Sequence, residues 1–223
     1  MRRAVRAKPP APEPALGLRE RKKRAVRSEL SLAALKLARE HGLENVRTED
    51  IVAAVGVSRR TFSNYFANKY EAIVDRLVER AQRSAEVLRA RPRSEALWQA
   101  LTVALIAPYE HLVIDDAPES RAASLFVFEE PALRAELWKG QFAAQRALAQ
   151  AIAERTGLDP ARDLYPSLVA ATAVGAVMTV LERWLRMKRP PPLLSMLREA
   201  LALIDRGFPE PARRRRTNRR SPR

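Results

Sequence analysis

At 223 residues, with 47% hydrophobic side chains, seven glycines and no cysteine, the chain is long enough to bury a real core and has neither a disulfide framework nor a thiolate site. Its basic N-terminus leads into the prolines of residues 9–14 rather than an apolar stretch, which argues against a secretory signal. The longest uncharged run, residues 164–181, includes Tyr165, Pro166 and Ser167 and fits a buried helix better than a membrane span. A cytoplasmic protein without a membrane partner is expected.

The net charge of +15 is unevenly spread: residues 1–27 hold ten Lys/Arg against two Glu, residues 212–223 hold seven Arg, and the span between is neutral. The two basic ends, Arg19–Arg27 and Arg213–Arg223, would attract phosphate with little sequence preference, so any specificity must come from the body.

Long runs of Ala, Leu, Glu and Arg predict an all-α chain of about nine helices. Pro9, Pro10, Pro12 and Pro14 preclude a regular helix, so residues 1–18 are expected to form a mobile arm. Val26, Leu30, Ala33, Leu37 and Ala38 share one helical face, and Gly42 follows a first helix that ends near His41. Thr48 stands before Glu49 and Asp50 as an N-cap with first-turn acids, predicting a short helix over Ile51–Val55 that Gly56 stops. Ser58 caps a third, Arg59–Phe66, and Asn68 with Glu71 opens a fourth whose inner face holds Ile73, Leu77, Ala81 and Leu88.

Arg91-Pro92 breaks that pattern. Five further helices are predicted: Ser94 to about His111 with a kink at Pro108, Glu119–Glu129, Pro131–Thr156, one from near Asp159-Pro160 to Met187, and Leu193–Arg206. The division that follows is an arm (1–18), a helix-turn-helix module (19–90), a larger helical unit (91–208) and an Arg-rich tail (209–223) expected to be disordered.

Two short helices around the Gly56–Ser58 turn form a helix-turn-helix, in which the second helix enters the major groove of double-stranded DNA. Ile51, Val55, Val57 and Phe62 should face inward, which turns Arg59, Arg60, Ser63 and Asn64 outward. Arginine can grip the guanine edge in a bidentate way and asparagine the adenine edge, so these four positions are the expected base readers. Thr48, Ser58, Thr61, Tyr65 and Lys69 lie at helix N-termini or on the flank, where hydroxyls and ammonium groups meet phosphate oxygens.

Residues 46–73, VRTEDIVAAVGVSRRTFSNYFANKYEAI, resemble the TetR family of regulators, with its Thr-led helix, Ala-Gly-Val-Ser turn, T-[LF]-Y-x-Y-F recognition helix and following lysine. Val55 stands where the family has alanine, Arg60 where a small residue is common, and Ser63 where a tyrosine is common, which points to a more arginine-dependent readout. The resemblance implies phosphate contacts at Thr48, Ser58, Tyr65 and Lys69, a homodimer on a palindromic operator, and a C-terminal domain that both dimerises and holds a small-molecule effector. A weaker likeness over residues 162–207 is to a subgroup with acyl-CoA-like ligands.

For the effector pocket the expected wall is Trp98, Tyr109, Phe126, Phe128, Trp138 and Phe142, although a plain core uses the same residues. For the dimer interface the candidates are Ala173, Gly175, Ala176, Leu197 and Leu201, again open to an intrachain reading. Catalysis is not expected: His41 and His111 are the only histidines, there is no HExxH, nucleophile elbow, P-loop or dinucleotide fingerprint, and Asp115-Asp116 lacks further cation ligands. No metal or cofactor is expected. A tail-driven, nonspecific nucleic-acid binder and a small-molecule carrier are the competing readings.

Overall fold

Nine α-helices and one 3-10 turn are formed among the described residues, 17–110 and 118–209 of a computed structural model, with no strand. The helices are α1 (Leu18–His41), α2 (Thr48–Val55), α3 (Arg59–Ser63), α4 (Lys69–Ala90), α5 (Leu97–Glu110), α6 (Pro118–Glu129), α7 (Pro131–Thr156), α8 (Leu164–Arg186) and α9 (Leu193–Asp205). The expectations for residues 1–16, the tail beyond residue 209, His111 and Asp115-Asp116 fall outside the described residues.

Several boundaries move for local reasons. The basic run Arg19–Arg27 forms the first turns of α1, so its cations are carried on a helix and not on a tail. Arg47, not Thr48, occupies the N-cap of α2: its backbone N–H donates to the Asp50 carboxylate at 2.8 Å, and Thr48 becomes the first helical residue. After α7 the chain closes a turn in which the Asp159 N–H donates to the Asp163 carboxylate at 2.8 Å, and this delays α8 to Leu164. A 3-10 turn at Leu43–Asn45, unforeseen in the sequence, seats Leu43 in the core.

The N-terminal core is built from Leu30, Ile51, Phe62 and Phe66, all essentially inaccessible, with the Phe62 and Phe66 rings 5.6 Å apart and tilted. α4 links this core to the larger unit by packing against α1 on one side and α5 and α7 on another. That is why its buried set, Ala72, Ile73, Val74, Asp75, Ser84, Ala85 and Leu88, is wider than the single face its periodicity predicts. α4 and α7 approach closely at Gly140, where an added Cβ would collide with both Val78 methyls. Arg155, near the end of α7, donates to the carbonyls of Arg91 and Glu95, and so fastens the turn between α4 and α5.

In the larger unit α8 lies against α7 and α9. By length and composition it is apolar enough to cross a bilayer, but Ala170, Ala173, Val177, Leu181 and Leu185 are buried within the bundle. The small residues of this helix therefore serve intrachain packing as well.

Candidate nucleic-acid interface and effector region

The turn between α2 and α3 needs a left-handed residue, and Gly56 provides it at φ 74°. Ser58 then caps α3: its Oγ accepts from the Thr61 N–H at 3.1 Å and shares a hydrogen with the Thr61 hydroxyl at 2.9 Å. Both hydroxyls are thus partly committed to the turn. With Phe62 buried beneath, Arg59, Arg60, Ser63 and Asn64 all stand exposed on the outer side. The regular helix is shorter than Arg59–Phe66, since it ends at Ser63, and hydrogen bonds from Tyr65 and Phe66 back to Phe62 carry the turn onward.

Two of these positions carry contacts that the sequence pattern does not announce. Arg59 pairs with Glu49 of α2 at 2.9 Å, both side chains being largely exposed. Lys69 bends back under the 3-10 turn, its ammonium donating to the Leu43 carbonyl at 2.7 Å and the Val46 carbonyl at 2.9 Å. Two of its three donors thus hold the chain entering α2, which leaves one for an external oxygen. Thr48 and Tyr65 are half-buried.

Beneath the interface lies a pair that sequence reasoning missed. Arg27 of α1 donates to both oxygens of Asp75 of α4, with Nε at 3.0 and 3.1 Å, while its guanidinium lies 4.9 Å from the centre of the Phe66 ring. One side chain therefore ties α1, the segment after α3 and α4 together. The hydrogen bond to Asp75 raises the Arg27 pKa, and burial pushes the Asp75 carboxyl up from its ordinary value against the pull of Arg27. The available signal was an acid placed between Val74 and Leu77 on an apolar face.

The six aromatics expected to line one pocket are not brought together. Trp138 and Phe142 are exposed by 47% and 57% on the outer face of α7, because Leu133, Leu137, Gln141 and Ala144 occupy its inner one. Trp98 and Phe126 are half-buried against the general core. Tyr109 and Phe128 do line a common chamber of about 40 Å³, together with Leu77, Arg80, Arg121 and Trp184. Burial holds the Tyr109 phenol up to about 12. Of the residues expected between subunits, Ala173, Leu197 and Leu201 are closed off within their own chain, since α8 packs on α7 and α9, and α9 on α5; Gly175 is exposed and Ala176 partly so.

A helix-turn-helix braced by α1 and α4, joined to a helical unit of five further helices, defines a DNA-binding regulator. The chain belongs to the TetR family: residues 32–80 match the tetR family of bacterial regulatory proteins, and residues 95–209 match the MftR C-terminal domain. It is 32% identical over 170 residues to the HTH-type transcriptional regulator TcmR of Streptomyces glaucescens, covering 73% of this chain and 75% of that one. It is 29% identical over 159 residues to the putative mycofactocin biosynthesis transcriptional regulator MftR of Mycobacterium tuberculosis, covering 70% and 78%. Among solved structures it shares its fold with the fatty acid degradation regulator FadR of Bacillus halodurans, at 18% identity and a TM-score of 0.51 over 80% of this chain and 94% of that one. A Thermus thermophilus FadR, a TetR-family repressor solved in complex with lauroyl-CoA, scores the same at 18% identity over 83% and 96%. The protein is a transcriptional regulator and not an enzyme.

Proposed function

We propose that this regulator is a cytoplasmic homodimeric repressor that reads a palindromic operator through α3 and leaves it when a small apolar or amphipathic effector binds the C-terminal unit. The observation that carries the reading is the exposure of Arg59, Arg60, Ser63 and Asn64 together, on a short helix seated over buried Phe62 and Phe66. Two such helices in a two-fold dimer would enter successive major grooves about 34–36 Å apart. Thr48, Ser58, Thr61, Tyr65 and the remaining donor of Lys69 would meet phosphates, joined by the exposed Arg21, Lys22, Lys23 and Arg24 at the start of α1.

For the dimer, the support is the outward face of α8, where Leu164, Tyr165 and Leu168 are at least half exposed in line with Gly175. This face replaces the buried Ala173, Leu197 and Leu201 as the intersubunit surface. An amphipathic effector agrees with the lauroyl-CoA of the Thermus structure.

Binding selection from genomic fragments tests the reading. The wild-type protein should enrich an inverted repeat. Replacing Arg59 or Arg60 with alanine should cost about 1–3 kcal/mol and relax one position in each half-site. Deleting residues 1–16 and 210–223 and replacing the exposed Arg21, Lys22, Lys23 and Arg24 with glutamine should lower affinity while keeping the preference, whereas a protein driven by its basic ends would lose nearly all binding.

A further inference from the structure

The 40 Å³ chamber beside Tyr109 does not stand alone. Leu77, Arg80, Ser120 and Ser124 form a wall common to it and to a larger cleft of about 410 Å³ between α1, α4 and α6. That cleft is at the junction of the DNA-binding module and the C-terminal unit, the kind of place where ligands settle, and its volume suits a small drug-sized molecule. Its apolar floor is made by Leu35, Ile73, Leu77, Ala123 and Val127. Its charge is cationic, with Lys36, Arg39, Arg76 and Arg80 facing Glu40 and Glu119.

The arginines are arranged at a cost to the folded protein. Arg76 and Arg80 are one helical turn apart on α4, a like-charge spacing that is unfavourable by itself. Neither makes a hydrogen bond or an ion pair among the described residues, while the neighbouring Glu79 is taken by Arg83. Burial, with Arg76 adding to it, lowers the Arg80 pKa. On the chamber side, Arg121 donates to the carbonyls of Trp184 and Met187 through its Nη2, but its Nε is buried with no acceptor. The buried Arg121 Nε lacks an acceptor, and half-buried Arg80 beside it has no carboxylate partner among the described residues, so an incoming anion meets donors that the fold leaves open.

We infer that the cleft and chamber together bind a small amphipathic carboxylate, its head held by Arg80 at the shared wall and its apolar body lying between α1 and α6. The arginine fork matches a carboxylate in a planar, bidentate way. The cleft, at about 410 Å³, has room for a compact acid. The body of the ligand would touch Leu32 and Leu35, on the helix that also carries Arg27 and so braces the recognition segment. Occupancy would thus push α1 relative to α6, and by reciprocity operator and acid would weaken each other's binding by the same factor. This inference rests on the proposed effector-responsive reading.

Calorimetric titration of the full chain with benzoate, 2-naphthoate and decanoate, each beside its primary amide, tests it. At least one acid should bind tenfold or more tightly than its amide. Arg80→Gln should remove that difference, and Ala123→Trp, which fills the cleft without altering charge, should remove binding of acid and amide alike. Thermal melts confirm that each variant is folded, and because the two variants act by charge and by volume, misfolding in one leaves the other decisive. Acid and amide binding equally, no acid binding, or an unchanged preference in Arg80→Gln would overturn the assignment. Operator binding is measured in parallel on the unliganded proteins. If it persists while acid binding fails, the regulator reading stands and only the ligand site falls; if operator binding itself is absent, the regulator reading is what has failed.

Discussion

Arg27 and Asp75 show how much of the DNA-binding module depends on one partly buried ion pair. Asp75 is only 4% exposed, so removing its partner strands a carboxylate in the core. Arg27→Ala is expected to destabilise the protein by about 2–4 kcal/mol in urea denaturation, whereas replacing both with apolar residues of similar volume should recover most of the loss. The sign of the pH dependence follows from burial, which raises the carboxyl's folded pKa once Arg27 is gone. The penalty in Arg27→Ala is full at neutral pH and shrinks as acid protonates Asp75. Lys69 carries a second double duty. Lys69→Ala should weaken binding to every DNA sequence and lower the salt slope by roughly 0.9 for each phosphate that the lysine neutralises. It should also cost about 1–2 kcal/mol of stability, because the Leu43 and Val46 carbonyls lose their donor. A stable variant with an unchanged slope would remove Lys69 from both roles. At the alkaline end, Tyr109 stays protonated in the fold to about pH 12 while an exposed phenol ionises near 10. Stability should therefore fall as the pH rises above about 10, which alkaline denaturation followed by tyrosine absorbance would detect.

At the level of elements, local signals read well where capping chemistry was written in adjacent residues. Ser58, Gly56 and Asn68 set the ends of α2, α3 and α4 through hydrogen bonds to near neighbours, and α7 runs from Pro131 to Gly157 as its end residues demand. What the sequence could not display was which face of a helix meets which neighbour. Trp138 and Phe142 are as apolar as Tyr109 and Phe128, yet they lie on the far side of α7, because the interior row is set by packing on α4. Ala173, Leu197 and Leu201 are interior because α8 packs on α7 and α9, and α9 on α5. The pairings Arg27–Asp75 and Lys69–Leu43 span 48 and 26 residues, beyond any local pattern. Gly140 is the sharpest case, a glycine within a good helix that was silent in the sequence and stands where a side chain would collide with Val78 of α4. Gly140→Ala gains helix propensity but must displace Val78. A net loss of about 1–3 kcal/mol is expected by thermal denaturation, and Val78→Ala in the same chain should return part of it.

For the whole molecule, the two units matched by separate families, residues 32–80 and 95–209, are mechanically one, since α4 is a wall of both cores. Truncating the chain after residue 90 should therefore leave the back of α4 without its α7 cover and yield a poorly folded module, visible as a broad, weakly cooperative melt. The proposed pairing of subunits can be probed without touching either core. Leu168→Lys places a charge at an exposed position of α8 and should convert a dimer to monomer in sedimentation while leaving the melt of the subunit largely intact.

The ion pair between Arg59 and Glu49 has a consequence for how such a protein searches. A free arginine on the reading helix would cling to any phosphate; one that already has a carboxylate beside it behaves as if it carried its own tethered counterion. If Arg59 reads a base as proposed, the DNA must displace Glu49, and a matching base edge, gripped in a bidentate way, offers more in return than a lone phosphate. Releasing that tether by Glu49→Gln should tighten binding to random DNA more than to the operator, narrowing the ratio between them and increasing the time spent on wrong sequences.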